Sequence, residues 1–186
     1  LLEIKPSFPA FGQLLVILYD SYHHLGLTEK ANRILELIEK GNCEIAKKLR
    51  TYVALTEADF ACIEYLGLKE DFLIPYFLET KSIQKARRLN MLLPGAGYYY
   101  VGQKKAAVTA FMINGLFTAA AYQFFARGYM AAGLITASFE AGWYFGGING
   151  AGLAAKEYNE RLYEQKAKDF MLKERYFPLL TFETAF

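Results

Sequence analysis

Two cysteines, two histidines and one tryptophan in 186 residues leave few of the side chains on which enzyme and metal chemistry depend. Cys43 and Cys62 form no C-x-x-C and have no companions at metal-ligand spacing, which excludes a zinc motif and gives no disulfide framework. Free cysteine is among the most buried residue types, so both thiols are expected buried and reduced. His23 and His24 are neighbours, and adjacent helical positions point about 100° apart, so the pair is expected at a cap or surface rather than around one ion. No Ser, His and Asp set and no G-x-x-x-x-G-K-[ST] is present. The chain therefore reads as a protein with no catalytic residues, cofactor or metal. A net charge of +2 without a nucleic-acid motif excludes RNA and DNA as partners.

Charge is scarcest in two places. Residues 106–126 and 129–155 contain no Lys, Arg or Asp, and only Arg127 and Gly128 separate them. A mean hydropathy of +0.10 for the whole chain conceals this, because it averages a charged amino-terminal half with an apolar middle. At about 1.5 Å per residue the first stretch is about 31 Å long as a helix, enough for a hydrocarbon core of about 30 Å, and the second spans with some tilt. The expectation is an all-α chain in four parts: a helical, repeat-like soluble domain (1–80), a basic amphipathic helix and interfacial turn (81–105), a transmembrane helical hairpin (106–155) and a charged amphipathic tail (156–186). Lys85, Arg87, Arg88, Lys104 and Lys105 precede the hairpin and Lys156, Arg161, Lys166 and Lys168 follow it, whereas the connector has only Arg127. The positive-inside rule places both flanks in the cytoplasm. A chain that begins at Leu1 leaves room for a preceding signal peptide or span, so an exported amino-terminal half stays open.

Within the hairpin the small residues are ordered. Ser138, Gly142, Gly146 and Gly150 recur every four positions, and Gly133, Ala137 and Ala141 form a second row. Such rows let helices approach closely in lipid, either closing the hairpin or joining copies of the chain into a homo-oligomer. Glu140 is the one acid in either stretch. Folding about Arg127-Gly128 sets Asn114 at nearly the depth of Glu140, so the two are expected to form a hydrogen-bonded intramembrane pair. That pair is either a structural clamp or the centre of proton or ion handling.

The amino-terminal region shows helical periodicity. Leu15, Leu18, Tyr22 and Leu25 lead to Gly26, and Ala31, Ile34, Leu35 and Ile38 lead to Gly41, which predicts a helix hairpin. The spacing of Leu18, Tyr22, Gly26, Ala31 and Leu35 is similar to the tetratricopeptide pattern, and Tyr52 and Ala61 suggest a degenerate second copy. A peptide-binding groove and a plain helical bundle are the alternatives.

The most specific local signal runs from Leu93 to Gln103, P-G-x-G-x-x-Y-x-G-Q. Pro94 and Gly95 end the helix that starts near Ser82, Gly97 and Gly102 allow turns, and Tyr98, Tyr99 and Tyr100 suit a membrane interface. Upstream, Lys81, Lys85, Arg87 and Arg88 among apolar residues predict a helix lying on an anionic leaflet. This run resembles the signature of a family of uncharacterised bacterial two-span membrane proteins, some with tetratricopeptide-like amino-terminal regions. The resemblance covers roughly residues 82–158. It implies that Pro94, Gly95, Gly97, Tyr100 and Gly102 form the turn at the membrane entrance and that the chain is a multi-pass inner-membrane protein. It departs at Tyr98, where many relatives carry Gln, and it supplies no activity.

Beyond Ala155, Tyr158, Leu162, Tyr163, Ala167, Phe170 and Met171 predict a basic amphipathic helix leaving along the interface. Residues 176–186 read as a docking segment or the stub of a further domain. Two functional classes follow: a membrane-anchored scaffold whose amino-terminal helices bind a protein or peptide, or a small oligomeric channel or transporter subunit built around Glu140.

Overall fold

The computed structural model describes residues 11–174, so the expectation for residues 176–186 lies outside the described residues. Every element among the described residues is helical: α1 (Phe11–His24), α2 (Thr28–Gly41), α3 (Cys43–Thr56), α4 (Phe60–Tyr65), a π-helical turn (Lys69–Leu73) leading into α5 (Ile74–Glu79), α6 (Ile83–Leu92), α7 (Ala96–Tyr100), α8 (Lys104–Ala126) and α9 (Met130–Lys173). They form two compact units, one of residues 11–74 with 167–174 and one of Pro75–Lys166.

In the first unit, α1 and α2 turn at Gly26, whose φ of 69° suits a residue without a Cβ. Their apolar faces meet that of α3 in a core of Val16, Tyr19, Ala31, Ile38, Ala46 and Leu49, the last two from α3, with Leu15, Tyr22, Ile34 and Leu35 packed against it. Asn42 starts α3 by accepting hydrogen bonds from the Glu44 and Ile45 amides, both at 3.1 Å. Asp59 starts α4 by accepting from Cys62 N at 3.0 Å. The small residue that the repeat pattern needs is buried at Ala31. Its expected counterpart Ala61 is exposed, and α4 has only six residues, so Tyr52 and Ala61 do not build a second matched helix pair. The cysteines also differ from expectation: both are free, but Cys43 is exposed and Cys62 only half-buried, because they sit on the first turns of α3 and α4, away from the core faces. His23 lies 3.1 Å from Glu57, and His24 lies 3.3 Å from Asp20. Phe170, from the end of α9, packs on Phe72 with ring centroids 5.4 Å apart.

In the second unit, α8 is 23 residues long with a mean hydropathy of 1.3 over its most apolar window, and it is the one described helix long and apolar enough to cross a membrane on those measures. The next helix, α9, departs from the expected boundary at residue 156. It runs unbroken for 44 residues, about 66 Å, so the second apolar stretch and the charged tail are one helix rather than a span and a separate surface helix. The cause is local. No proline or left-handed residue interrupts 151–173, and Lys156–Glu160 (3.5 Å) and Glu157–Arg161 (3.7 Å) support the helix across the polar transition.

Candidate functional site

The Pro94-Gly95 turn is the point on which the second unit is built. Leu93 is extended, Gly95 has φ 92° and caps α7, and its amide donates to Asn90 Oδ1 at 2.8 Å. Asn90 is buried, at 2% exposure, and it stands at the junction of α6, α7 and α9. The two glycines of the motif serve different ends. A Cβ at Gly95 would run into the backbone carbonyl of Ala107 in α8. One at Gly97 would meet the Ala86 carbonyl of α6 and lie 2.7 Å from Ala151 Cβ of α9. The motif thus lets three helices close on α7. Gly102, with φ 89° and nothing within 4 Å of an added Cβ, is required for backbone conformation alone.

From α9, Tyr144 donates its hydroxyl to the Met91 carbonyl, Gly147 leaves room for the Asn90 amide, which an added Cβ would meet at 3.3 Å, Gly150 lies against the Tyr98 hydroxyl, and Gly152 accommodates the Arg87 side chain. The α6 helix buries Ala86 and Asn90 against these neighbours. The three tyrosines of the run stand in different surroundings. Tyr99 is 65% exposed, but Tyr98 is packed on Gly150, and the Tyr100 hydroxyl accepts from Ser82 N at 3.2 Å. Lys85 and Lys81 stand over the Tyr100 ring at 5.0 and 5.3 Å from its centroid, which stabilises two cations close together.

The polar half of α9 is fastened to the chain before α6. Asn159 pairs with both backbone groups of Lys81, accepting from its amide at 2.7 Å and donating to its carbonyl at 2.9 Å. Lys166 donates to Glu79 at 2.8 Å, and Tyr163 meets Tyr76 edge-on at 5.4 Å. Burial, with the neighbouring Tyr76, pushes the Tyr163 phenol up to about 12.

Between α8 and α9 lies an open groove of 690 Å³, lined among others by Asn114, Phe139, Gly142, Trp143 and Gly146. Asn114 is 5% exposed. Its amide nitrogen donates to the Ala110 carbonyl of its own helix at 2.6 Å, and its Oδ1 accepts nothing. Glu140 Oε2 is likewise buried without a partner. The expected Asn114–Glu140 hydrogen bond is therefore not formed, because Asn114 turns its donor onto the helix that carries it. The expected packing row also divides. Gly150 is in close contact with Tyr98, whereas Gly142 and Gly146 have nothing within 4 Å of an added Cβ, and Ser138 donates to Leu134 of its own helix at 2.9 Å. In the second row, Gly133 does lie against the Phe125 ring.

Gly147, Gly152 and Asn90 are packing residues that sequence reasoning passed over. The Gly147-Ala151 spacing repeats the small-xxx-small signal one residue out of step with the row singled out. Among the described residues no cluster of His, Cys, Asp and Glu is placed to hold a metal ion. No protein family, curated protein or solved structure matches the chain.

Proposed function

We propose that this is a multi-pass inner-membrane protein whose α8 and the apolar part of α9 form a membrane hairpin, and whose amino-terminal unit is a scaffold for a protein or peptide partner. The observation that carries the reading is the exposure of apolar side chains on both helices. Val108, Met112, Leu116, Leu134, Phe139 and Phe145 are each more than 60% exposed, and only 11% of the most apolar window of α8 is buried. A core helix of a water-soluble fold buries such a face, and apolar surface of this extent calls for lipid or protein. The basic residues on both flanks and the resemblance of the Pro94–Gln103 run to two-span bacterial proteins support the hairpin with cytoplasmic flanks. For the scaffold, support comes from a shallow cleft of 380 Å³ lined by Glu39, Cys43, Lys47, Arg50 and Tyr65, with Tyr65 85% exposed.

The test uses the full chain with Cys43→Ser and Cys62→Ser, carrying either Asp20→Cys or Arg127→Cys. Arg127→Cys is expected to react with a membrane-impermeant maleimide from outside intact cells, and Asp20→Cys only after permeabilisation. Labelling of position 127 from the cytoplasmic side alone overturns the orientation, and release of the chain by alkaline carbonate overturns the membrane reading.

A second reading, an oligomeric channel or transporter subunit, is favoured by the unpartnered Oε2 of Glu140 within the apolar part of α9. Under that reading Glu140→Gln abolishes ion or proton flux in proteoliposomes while assembly persists.

A further inference from the structure

We infer that α6 and the Pro94-Gly95 turn form a re-entrant wedge, which enters the leaflet that the basic flanks face and sets Met91, Leu92 and Leu93 among the acyl chains of its phospholipids, with Lys85 and Arg88 at their phosphates. The inference rests on the membrane reading above. Contacts along α9 fix the direction of α6. Lys81 meets Asn159, Arg87 lies against Gly152, Asn90 lies against Gly147, and the Met91 carbonyl takes the Tyr144 hydroxyl. Thus α6 descends α9 from its polar part into its apolar part. Tyr144 stands twelve residues before Lys156, the next charged residue of α9 after Glu140, a distance of about 18 Å along the helix. On the other side the turn closes on Ala107, one helical turn inside α8. The chain then returns through α7 to Lys104, where α8 begins.

The exposed face of α6 points the same way. Lys85, Arg88 and Leu92 fall on one stripe at helical spacing and all three are exposed, whereas Ala86 and Asn90 on the other side are buried. A helix lying flat on a membrane is polar on one side and apolar on the other along its whole length. Here the change runs along the axis of a single face, basic toward the amino end and apolar at the carboxyl end. Such a helix crosses the headgroup layer. Met91 and Leu93 are exposed as well, and Leu92 is 80% exposed, so the tip is bare at three successive positions.

Non-helical backbone at membrane depth is tolerated where the protein itself satisfies its polar groups. The turn is served in this way from within the chain. Gly95 N donates to the buried Asn90 Oδ1, Tyr144 donates to the Met91 carbonyl, Leu93 N donates to Leu89 O and Ala96 N to Leu93 O, while Pro94 has no amide to satisfy. What the tip turns outward is apolar side chain, continuous in kind with the exposed faces of α8 and α9. Above it the charge is one-sided. No Asp or Glu occurs between Glu79 and Glu140, and Lys85, which stands over the Tyr100 ring, forms no ion pair among the described residues, nor does Arg88. A phospholipid supplies phosphate for the cations and acyl chain for the tip, in that order of depth.

The test reads depth. The full chain with Cys43→Ser and Cys62→Ser carries Gln84→Cys, Leu92→Cys or Leu116→Cys, each at an exposed position, and is labelled there with a fluorophore. It is reconstituted into vesicles of phosphatidylcholine and phosphatidylglycerol. Iodide quenches a label in water, and lipids spin-labelled at the headgroup or at mid-chain quench a label at their own level. The label at 84, beside Lys85, is expected to be quenched from the headgroup. The label at 92 is expected to resist iodide as the one at 116 does, and to lie deeper than the one at 84 by up to about 12 Å, the rise of eight helical residues. Equal depths at 84 and 92 mean a helix flat on the surface and overturn the inference, as does iodide quenching at 92. A label at 92 that neither iodide nor spin-labelled lipid reaches means that protein covers the tip, which overturns it too. Iodide quenching at 116 sinks the membrane reading itself, so the two failures are told apart.

Discussion

Replacing Gly95 by alanine separates two costs that the Pro-Gly-x-Gly turn combines, and Gly102→Ala supplies the reference. Both glycines have strongly positive φ, 92° and 89°. An L-residue held there costs about 1–2 kcal/mol at either site. Both substitutions also restrict the unfolded chain equally, so that contribution cancels between them. Only Gly95 meets an obstacle. Its new Cβ points into the backbone carbonyl of Ala107, which the hydrogen bonds of α8 hold in place, whereas at Gly102 nothing lies within 4 Å. Overpacking of this kind costs about 1–3 kcal/mol. Gly95→Ala should therefore destabilise by about 2–5 kcal/mol in total, and Gly102→Ala by about 1–2 kcal/mol. At about 2–4 °C per kcal/mol for a chain of this size, the difference is about 2–12 °C in the unfolding midpoint, read by circular dichroism in detergent. Equal midpoints for the two variants would refute the close approach of α7 to α8.

Three further outcomes are expected. Asn159→Ala strands the Lys81 amide and carbonyl together and should cost about 1–3 kcal/mol; Asn159→Asp, which keeps the acceptor and loses the donor, should cost less, by the same unfolding measurement. Tyr163 holds its proton in the folded state up to about pH 12, while the unfolded chain loses it near 10. The folded state then binds more protons, so its stability contribution is complete below pH 10 and is lost as the pH rises toward 12; Tyr163→Phe should remove that share of the alkaline slope, and an unchanged slope would count against the buried phenol. Cys43, exposed, should react with a water-soluble thiol reagent faster than the half-buried Cys62, as mass spectrometry of the singly labelled chain will read.

How legible the fold is in the sequence depends on whether the deciding interaction is local. The α1–α2 hairpin is readable because Gly26 and the apolar rows of both helices are near-neighbour signals, and so is the end of α6 at Pro94-Gly95. The second helix pair is not, since Tyr52 and Ala61 keep nearly the right spacing while the helix that should carry Ala61 stops after six residues. The apolar-to-polar change after Ala155 looks like a boundary in composition, yet composition does not end a helix; a proline, a glycine in the left-handed region or a competing cap does, and 156–173 holds none. Asn90 illustrates the other limit. In a basic, amphipathic stretch it reads as surface, and its burial depends on Gly95, Gly97 and Gly147 coming together from separate parts of the chain.

The glycines of α9 carry that argument furthest. Spacing alone puts Ser138, Gly142, Gly146 and Gly150 in one row with one role, but the row crosses two environments. At its carboxyl-terminal end the helix lies against α6 and α7, and Gly147, Gly150 and Gly152 are filled by Asn90, Tyr98 and Arg87. Toward the other end Gly142 and Gly146 open on the groove. A glycine in a helix interior costs about 0.5–1 kcal/mol relative to alanine wherever it stands. At positions 147, 150 and 152 that cost is offset by contacts within the chain. At 142 and 146 nothing in the chain offsets it, and alanine would fit both places without touching a neighbour.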